Sequence, residues 1–261
     1  MSENKIIDLS NVQESFFDKL KNYEAKALDP SIDPEDLALA RLELVRNAKK
    51  AIADKSSPDA KRWYGYCLAT GDEGFPVNID EGIQHLNEAV MMRAQGANQH
   101  LGDIYTGEVG HLSADKIDIH KAIKHYEQCD NGYSYYKLAR IYSENELVKD
   151  IRKAMDCAEK SDHLGDNMGK CLLAIWLYDG AYIARDIAKA YEYFEDVYQQ
   201  DTLEDGSYES WVGPSALFFM GLMIFAGEGV PREEHRGYMM IEEAAGWGDT
   251  NAIDWLQSQG A

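Results

Sequence analysis

Apolar and polar positions along the chain follow a helical rhythm that is written five times. Around Gly65, Gly102, Ala139, Ala174 and Gly221, a large apolar or aromatic residue stands one position before (Tyr64, Leu101, Leu138, Leu173, Met220) and another three after (Leu68, Tyr105, Tyr142, Leu177, Ile224). Five positions before each anchor the residue is small: Ala60, Ala97, Ser134, Gly169 or Ala216. At about 100° per residue these positions share an arc of about 140°, the width of one buried helix stripe, so each stretch is predicted to be an amphipathic helix. The anchors are 37, 37, 35 and 47 residues apart.

The anchor is Ala in two copies, which rules out a left-handed backbone as its reason and leaves size. Gly inside a helix costs about 1 kcal/mol against Ala, and close approach of a neighbouring helix is the expected compensation. Gly71, Gly107, Gly180 and Gly227 differ in role. They follow the last apolar position, where a helix C-cap favours positive φ. The third copy has Glu144 or Asn145 there, a weaker stop. A second apolar rhythm follows each loop: "DEGIQHLNEAV" (80–90), "DIHKAIKHYEQ" (118–128), "DIRKAMDCAEK" (150–160), "DIAKAYEYFED" (186–196) and "EEHRGYMMIEEAA" (233–245). The first four open on Asp, a good cap or first-turn residue. Two helices in a period of about 36 residues make an αα-hairpin repeat.

The signature small-x-x-x-large-small-x-x-large, then Gly-x-Gly-Val, then Asp-x-x-Lys-Ala, resembles the Sel-one-like repeat family, relatives of tetratricopeptide repeats. "MGLMIFAGEGV" carries it most fully, followed by "LGDIYTG" with "HKAIKHYEQ". The resemblance spans residues 58–248. It departs in the third copy, which lacks the inter-helix glycines, in the lengthened loop "EVGHLSADKID", and at Arg236-Gly237 where Lys-Ala is usual. The resemblance implies an all-α, right-handed α/α superhelical solenoid of about five helix-turn-helix repeats that recognises other proteins, usually without chemistry of its own. The expected organisation is an N-terminal helical hairpin cap over 1–56, an array over 57–248 with units near 58–95, 96–131, 132–166, 167–213 and 214–248, and a C-terminal capping helix over 249–261. The cap rests on "NVQESFFDKLKNYEAKAL" (11–28) and "DPEDLALARLELVRNAKKAIAD" (33–54). An insertion, "QDTLEDGSYESWVG" (200–213), accounts for the 47-residue interval and is the irregularity that most invites a functional reading.

Charge narrows the partners. Lys and Arg number 26 against 46 Asp and Glu, a net −20 that repels phosphate backbones and excludes nucleic acid as the expected ligand. Residues 1–56 carry only −2 of this, whereas from Asp186 onward Lys189, Arg232 and Arg236 oppose 15 acids. A basic or mixed-charge protein surface is the partner this field favours. The opening "MSENKIIDLS" is polar and acidic and no run of about 18 apolar residues occurs, so the expectation is a cytoplasmic protein without membrane insertion. Cys67, Cys129, Cys157 and Cys171 are spaced 62, 28 and 14 apart and are read as reduced, mostly buried thiols.

Chemistry-bearing motifs are thin. His120 and His125 are five apart and no HExxH occurs; residues 201–212 place Leu203 and Val212 where a calcium loop needs oxygens. No metal or cofactor is expected, and the first reading is a non-catalytic scaffold or adaptor, with a bacterial immunity protein that neutralises a toxin as its specific version. The alternative is an enzyme of the hydrolase type, or a small-molecule binder, using the same surface. Away from the apolar stripe, the first helices carry Arg62, Trp63 and Tyr66, then Gln99, His100 and Asp103, then Tyr136, Lys137 and Arg140, then Trp176, Phe218 and Phe219. Aromatic and Arg side chains dominate protein interfaces, and first helices line the concave side of related solenoids. The candidate partner-binding set is therefore Arg62, Trp63, Tyr66, His100, Asp103, Tyr136, Lys137, Arg140 and Trp176, with Asp205, Tyr208 and Trp211 from the inserted loop.

Overall fold

The computed structural model describes residues 16–29, 31–53, 57–72, 75–109, 113–203 and 210–259. These form thirteen α-helices and one 3₁₀ turn, Ala114–Lys116. Helices α1 (Phe16–Ala27) and α2 (Pro34–Ala53) come first. Five hairpins follow: α3 (Pro58–Thr70) with α4 (Ile79–Met91), α5 (Ala97–Thr106) with α6 (Ile119–Tyr126), α7 (Gly132–Glu144) with α8 (Ile151–His163), α9 (Asn167–Asp179) with α10 (Ile187–Asp201), and α11 (Val212–Ala226) with α12 (Glu234–Gly246). Helix α13 (Thr250–Gln259) ends the described chain. No helix among the described residues is long and apolar enough to cross a membrane.

One backbone bond defines the hairpin and recurs in every copy. The residue that opens the second helix donates its N–H to the carbonyl three positions after the anchor: Asn78 to Leu68 (2.7 Å), Asp118 to Tyr105 (2.9 Å), Asp150 to Tyr142 (2.8 Å), Asp186 to Leu177 (3.0 Å) and Glu233 to Ile224 (3.0 Å). The bond survives loops of different length, so it fixes the hairpin closure rather than following from it. Asn78, Asp118, Asp150 and Asp186 also accept the N–H three residues on, at Glu81, Lys121, Lys153 and Lys189. Glu233, in the copy with Arg236-Gly237, makes no such cap. Gly71, Gly107, Gly180 and Gly227 take φ of 81°, 77°, 69° and 73° and end their first helices in the left-handed region. Helix α7 instead stops at Asn145 in an extended conformation.

The anchor glycines mark where two helices of one hairpin meet backbone to backbone. A Cβ on Gly65 would lie 2.8 Å from the Gly82 carbonyl oxygen, and a Cβ on Gly82 would lie 2.6 Å from that of Gly65. Gly221 and Gly237 repeat the arrangement, with a Gly237 Cβ 2.5 Å from the Phe225 nitrogen. The other hairpins place Ala122, Ala154 and Ala190 in this register, each fully buried.

The chain divides into two compact units, 1–125 and 126–261. The core of the first joins Leu20, Tyr23, Leu44 and Ala48 of the leading hairpin to Ala60, Trp63 and Cys67 of α3, with a second cluster of Ala69, Leu86, Leu101 and Ile104. In the second, α11 carries no charged residue and is buried on nearly every side, packed by α9, α10, α12 and α13. A helix apolar all round is a central one. No disulfide joins the four cysteines; Cys67 and Cys171 are buried, and Cys129 and Cys157 are partly buried.

Candidate protein-binding faces

In the N-terminal unit, α3 and α5 present Arg62, Tyr66 and His100 as one cluster. The Arg62 guanidinium donates Nη1–H to His100 Nε2 at 2.9 Å, and the Tyr66 ring lies 4.3 Å from the imidazole, centroid to centroid. Because Nε2 accepts, His100 is neutral with its proton on Nδ1. Burial, reinforced by the Arg62 charge, pushes its pKa from 6.5 down to about 4. Burial, with Asp72 and Asp103 beyond it, holds the Tyr66 hydroxyl above its usual value. Asp103 itself is buried. Trp63 is buried in the core between α3 and the leading hairpin, edge-on to Phe75 at 5.7 Å. Arg62, Tyr66 and His100 are partly exposed on this face, whereas Trp63 and Asp103 are buried.

In the C-terminal unit, Tyr136 is a buried floor on α7, and the indole of Trp211, 55 % exposed, lies 6.4 Å from its ring. Arg140 stands over the same ring at 6.0 Å and pairs with Glu144 through two hydrogen bonds of 3.2 and 3.0 Å. Lys137 is buried, with its ammonium over Tyr133 and Tyr136 at 5.2 and 5.9 Å. Trp176 is also buried, edge-on to Tyr182, whose hydroxyl donates to the Ser143 carbonyl. Phe218 is buried, and Phe219 stacks on Phe194 at 4.9 Å. The open part of this face is therefore Arg140 and Trp211 over Tyr136. Asp205 and Tyr208 lie outside the described residues.

The placement of Trp211 depends on Asp201, the first residue of the 201–212 stretch that fails as a calcium loop at Leu203 and Val212. Asp201 ends α10 and is 2 % exposed. It accepts the N–H of Ser210 (3.1 Å), the hydroxyl of Ser210 (2.8 Å) and the N–H of Gly213 (3.0 Å). Trp211, the N-cap of α11, makes no side-chain cap bond of its own. Asp201 thus caps α11 from the preceding helix and fixes the return of the insertion. The signal available in the sequence was an Asp nine residues before a Ser-x-x-Gly stretch, too unspecific to read.

Burial raises the Cys157 thiol to about 11 and the Cys171 thiol to about 12, so both stay protonated and unreactive near neutral pH. The acceptor nitrogen of His100 is occupied by Arg62. His125 bonds Asn98 through Nδ1 at 2.9 Å and stacks on Tyr105, with its pKa lowered by burial and by Lys124 and Lys121. Among the described residues, no group of three or more His, Cys, Asp or Glu is placed to hold a metal ion. Hollows of about 190 Å³ between α1 and α2 and about 210 Å³ among α8, α9 and α10 fall below the roughly 300–1,000 Å³ of ligand pockets.

Five repeated αα-hairpins define a helical-repeat fold. The Sel1 repeat profile matches residues 58–92, 97–128, 132–166, 168–195 and 214–246, and the chain belongs to the Sel1 repeat family, whose members generally mediate protein–protein interaction. Its fold is similar to that of a Sel1 repeat protein from Oxalobacter formigenes (16 % identity, 92 % of this chain and 88 % of that one, TM-score 0.64). It is also similar to c5321, a protective antigen of uropathogenic Escherichia coli with an SLR fold (17 % identity, 92 % and 52 %, TM-score 0.61). A third likeness is to PA5086 of Pseudomonas aeruginosa (14 % identity, 88 % and 80 %, TM-score 0.51). The chain spans about half the length of c5321. No curated protein matches it. The insertion falls in the gap between the fourth and fifth matched repeats.

Proposed function

We propose that the chain is a non-catalytic adaptor that binds a partner protein through the exposed edges of its first helices, with Arg140 and Trp211 over Tyr136 as the principal contact and Arg62 with Tyr66 as a second. The observation that carries this reading is the half-exposed Trp211 held beside Arg140 by the Asp201 clamp: a large aromatic is kept in water at the price of a buried carboxylate. Exposed Trp beside Arg is the composition of interface hot spots.

The first helices α3, α5, α7, α9 and α11 together carry five Lys or Arg and four Asp or Glu, so this surface lacks the acid excess of the whole chain. The partner patch that meets it is accordingly aromatic and of mixed charge, and long-range attraction to a basic partner acts from elsewhere on the molecule. The test is affinity capture on the tagged chain with mass spectrometry, run in parallel with Arg140→Ala/Trp211→Ala. One partner enriched by the native chain and lost from the variant is expected; equal recovery by both contradicts the reading. The narrower reading, a toxin as that partner, rests on the net charge alone. Co-expression tests it: the native chain restores growth to toxin-expressing cells and the double variant does not, whereas no rescue by the native chain sinks it.

A further inference from the structure

We propose that the chain's own residues 5–12, upstream of α1, dock along the outer face of α2 and cover the leading hairpin. The contact is separate from the first-helix faces and does not depend on them. At about 100° per residue, Glu35, Leu39, Leu42, Arg46, Lys49 and Lys50 share one stripe of α2, opposite the buried Leu44 and Ala48. Leu39 and Leu42 are 64 % and 62 % exposed on it. The terminal helices of a repeat array need a polar outer face to keep copies apart, and two neighbouring leucines break that rule.

Direction, reach and charge name the occupant. Lys19, early in α1, donates to Asn47, late in α2, at 3.1 Å, and the connection between the helices is short, so the pair is antiparallel. The chain therefore enters α1 at the Lys49–Lys50 end of α2. From Ile6 to Phe16 is ten residues, up to about 33 Å of extended chain, whereas Leu39 stands only about 17 Å along α2 from Lys50. Enough chain remains to round the helix. Arg46 and Lys50 make no hydrogen bond or ion pair, and Lys49 stands over the Tyr64 ring at 5.9 Å. The helix end accounts for Lys50, in the last turn, but not for Arg46 before it. The stretch upstream of α1 lies outside the described residues; its sequence is "KIIDLSNV" (5–12), between Glu3 and Glu14. Laid extended and parallel to α2, it sets Lys5 beside Glu35, Ile7 and Leu9 on Leu39 and Leu42, and Glu14 at the basic end. A second copy of this chain is a poorer occupant, because the basic half of the stripe would meet itself. A separate acidic partner would compete against a tethered segment, whose effective concentration is on the order of millimolar.

Trypsin cleavage of the full chain after Lys5, followed by mass spectrometry, reads the contact, because a protease cuts a docked segment only when it opens. Leu39→Ser/Leu42→Ser is expected to speed that cut at least about tenfold, and Arg46→Gln/Lys50→Gln several-fold. In the native chain the cut is expected to quicken between about 50 and about 300 mM salt. Leu147→Ser, at a leucine exposed before α8, is expected to leave it unchanged. Thermal midpoints within a degree or two of the native value separate release of the segment from unfolding. A native chain cut as fast as Leu39→Ser/Leu42→Ser leaves the face to some other occupant and overturns the proposal. So does equal acceleration by Leu147→Ser, and so does sedimentation showing that Leu39→Ser/Leu42→Ser instead dissolves a dimer of the native chain.

Discussion

Replacing Gly237 by Ala removes a poor helix former, which by propensity alone gains about 1 kcal/mol. The structure reverses the sign: the added methyl would sit 2.5 Å from the Phe225 nitrogen and 2.6 Å from the Gly221 oxygen, both backbone atoms that cannot swing away. Chemical denaturation of Gly237→Ala is expected to show a loss of about 2 kcal/mol or more. Arg93 presents the opposite case. It holds φ 61° at the end of α4, donating its N–H to the Val90 carbonyl while Ala94 reaches back to Ala89, the same closure that Gly165 and Gly248 make after α8 and α12. Arg93→Gly is therefore expected to stabilise by about 1 kcal/mol, read as a raised midpoint in the same experiment. Small size at the anchors was legible because it recurs in every copy. The matching glycines on the second helices were not, since Gly82 and Gly237 share their register with Ala122, Ala154 and Ala190, and Arg236-Gly237 passed for a family departure.

Each element has a joint whose failure should be measurable. Asp201 satisfies the Ser210 and Gly213 amides, so Asp201→Ala leaves buried donors without an acceptor and is expected to cost about 2–4 kcal/mol, with Asp201→Asn costing less. Between α3 and α5 the joint is pH-sensitive. An unfolded chain protonates His100 near 6.5, whereas the folded one resists until about 4, so stability is expected to fall as pH drops through that window. His125, shifted in the same direction, adds to the slope. Urea midpoints measured across this range should flatten in His100→Gln; an unchanged slope would remove His100 from the explanation. The helices and their turns were legible from spacing. The exposure of their polar faces was less so, because a first helix is covered both by its own second helix and by neighbouring helices, and that cover takes Trp63, Tyr136, Lys137 and Trp176 into the interior. What remains open on α7 is Arg140, and Trp211 joins it through a contact bridging more than seventy residues of chain, which no local pattern reports.

At the scale of the whole molecule, the −20 charge and the aromatic candidate faces occupy different parts of the chain. The first helices are nearly balanced in charge, and the acid excess lies mostly in the loops between helices, with part of it on α4, α10 and α12, so the net charge describes the molecule without describing its candidate binding faces. Aromatic contacts set how long a complex lasts and the distant acids set how fast it forms. The central claim is that binding runs through Trp211 and Arg140 over Tyr136. Calorimetric titration of the captured partner into the native chain and into Arg140→Ala/Trp211→Ala tests it most directly. An affinity at least about a hundredfold weaker in the variant, at an unchanged thermal midpoint, is the expected result; an affinity equal to that of the native chain would contradict the account.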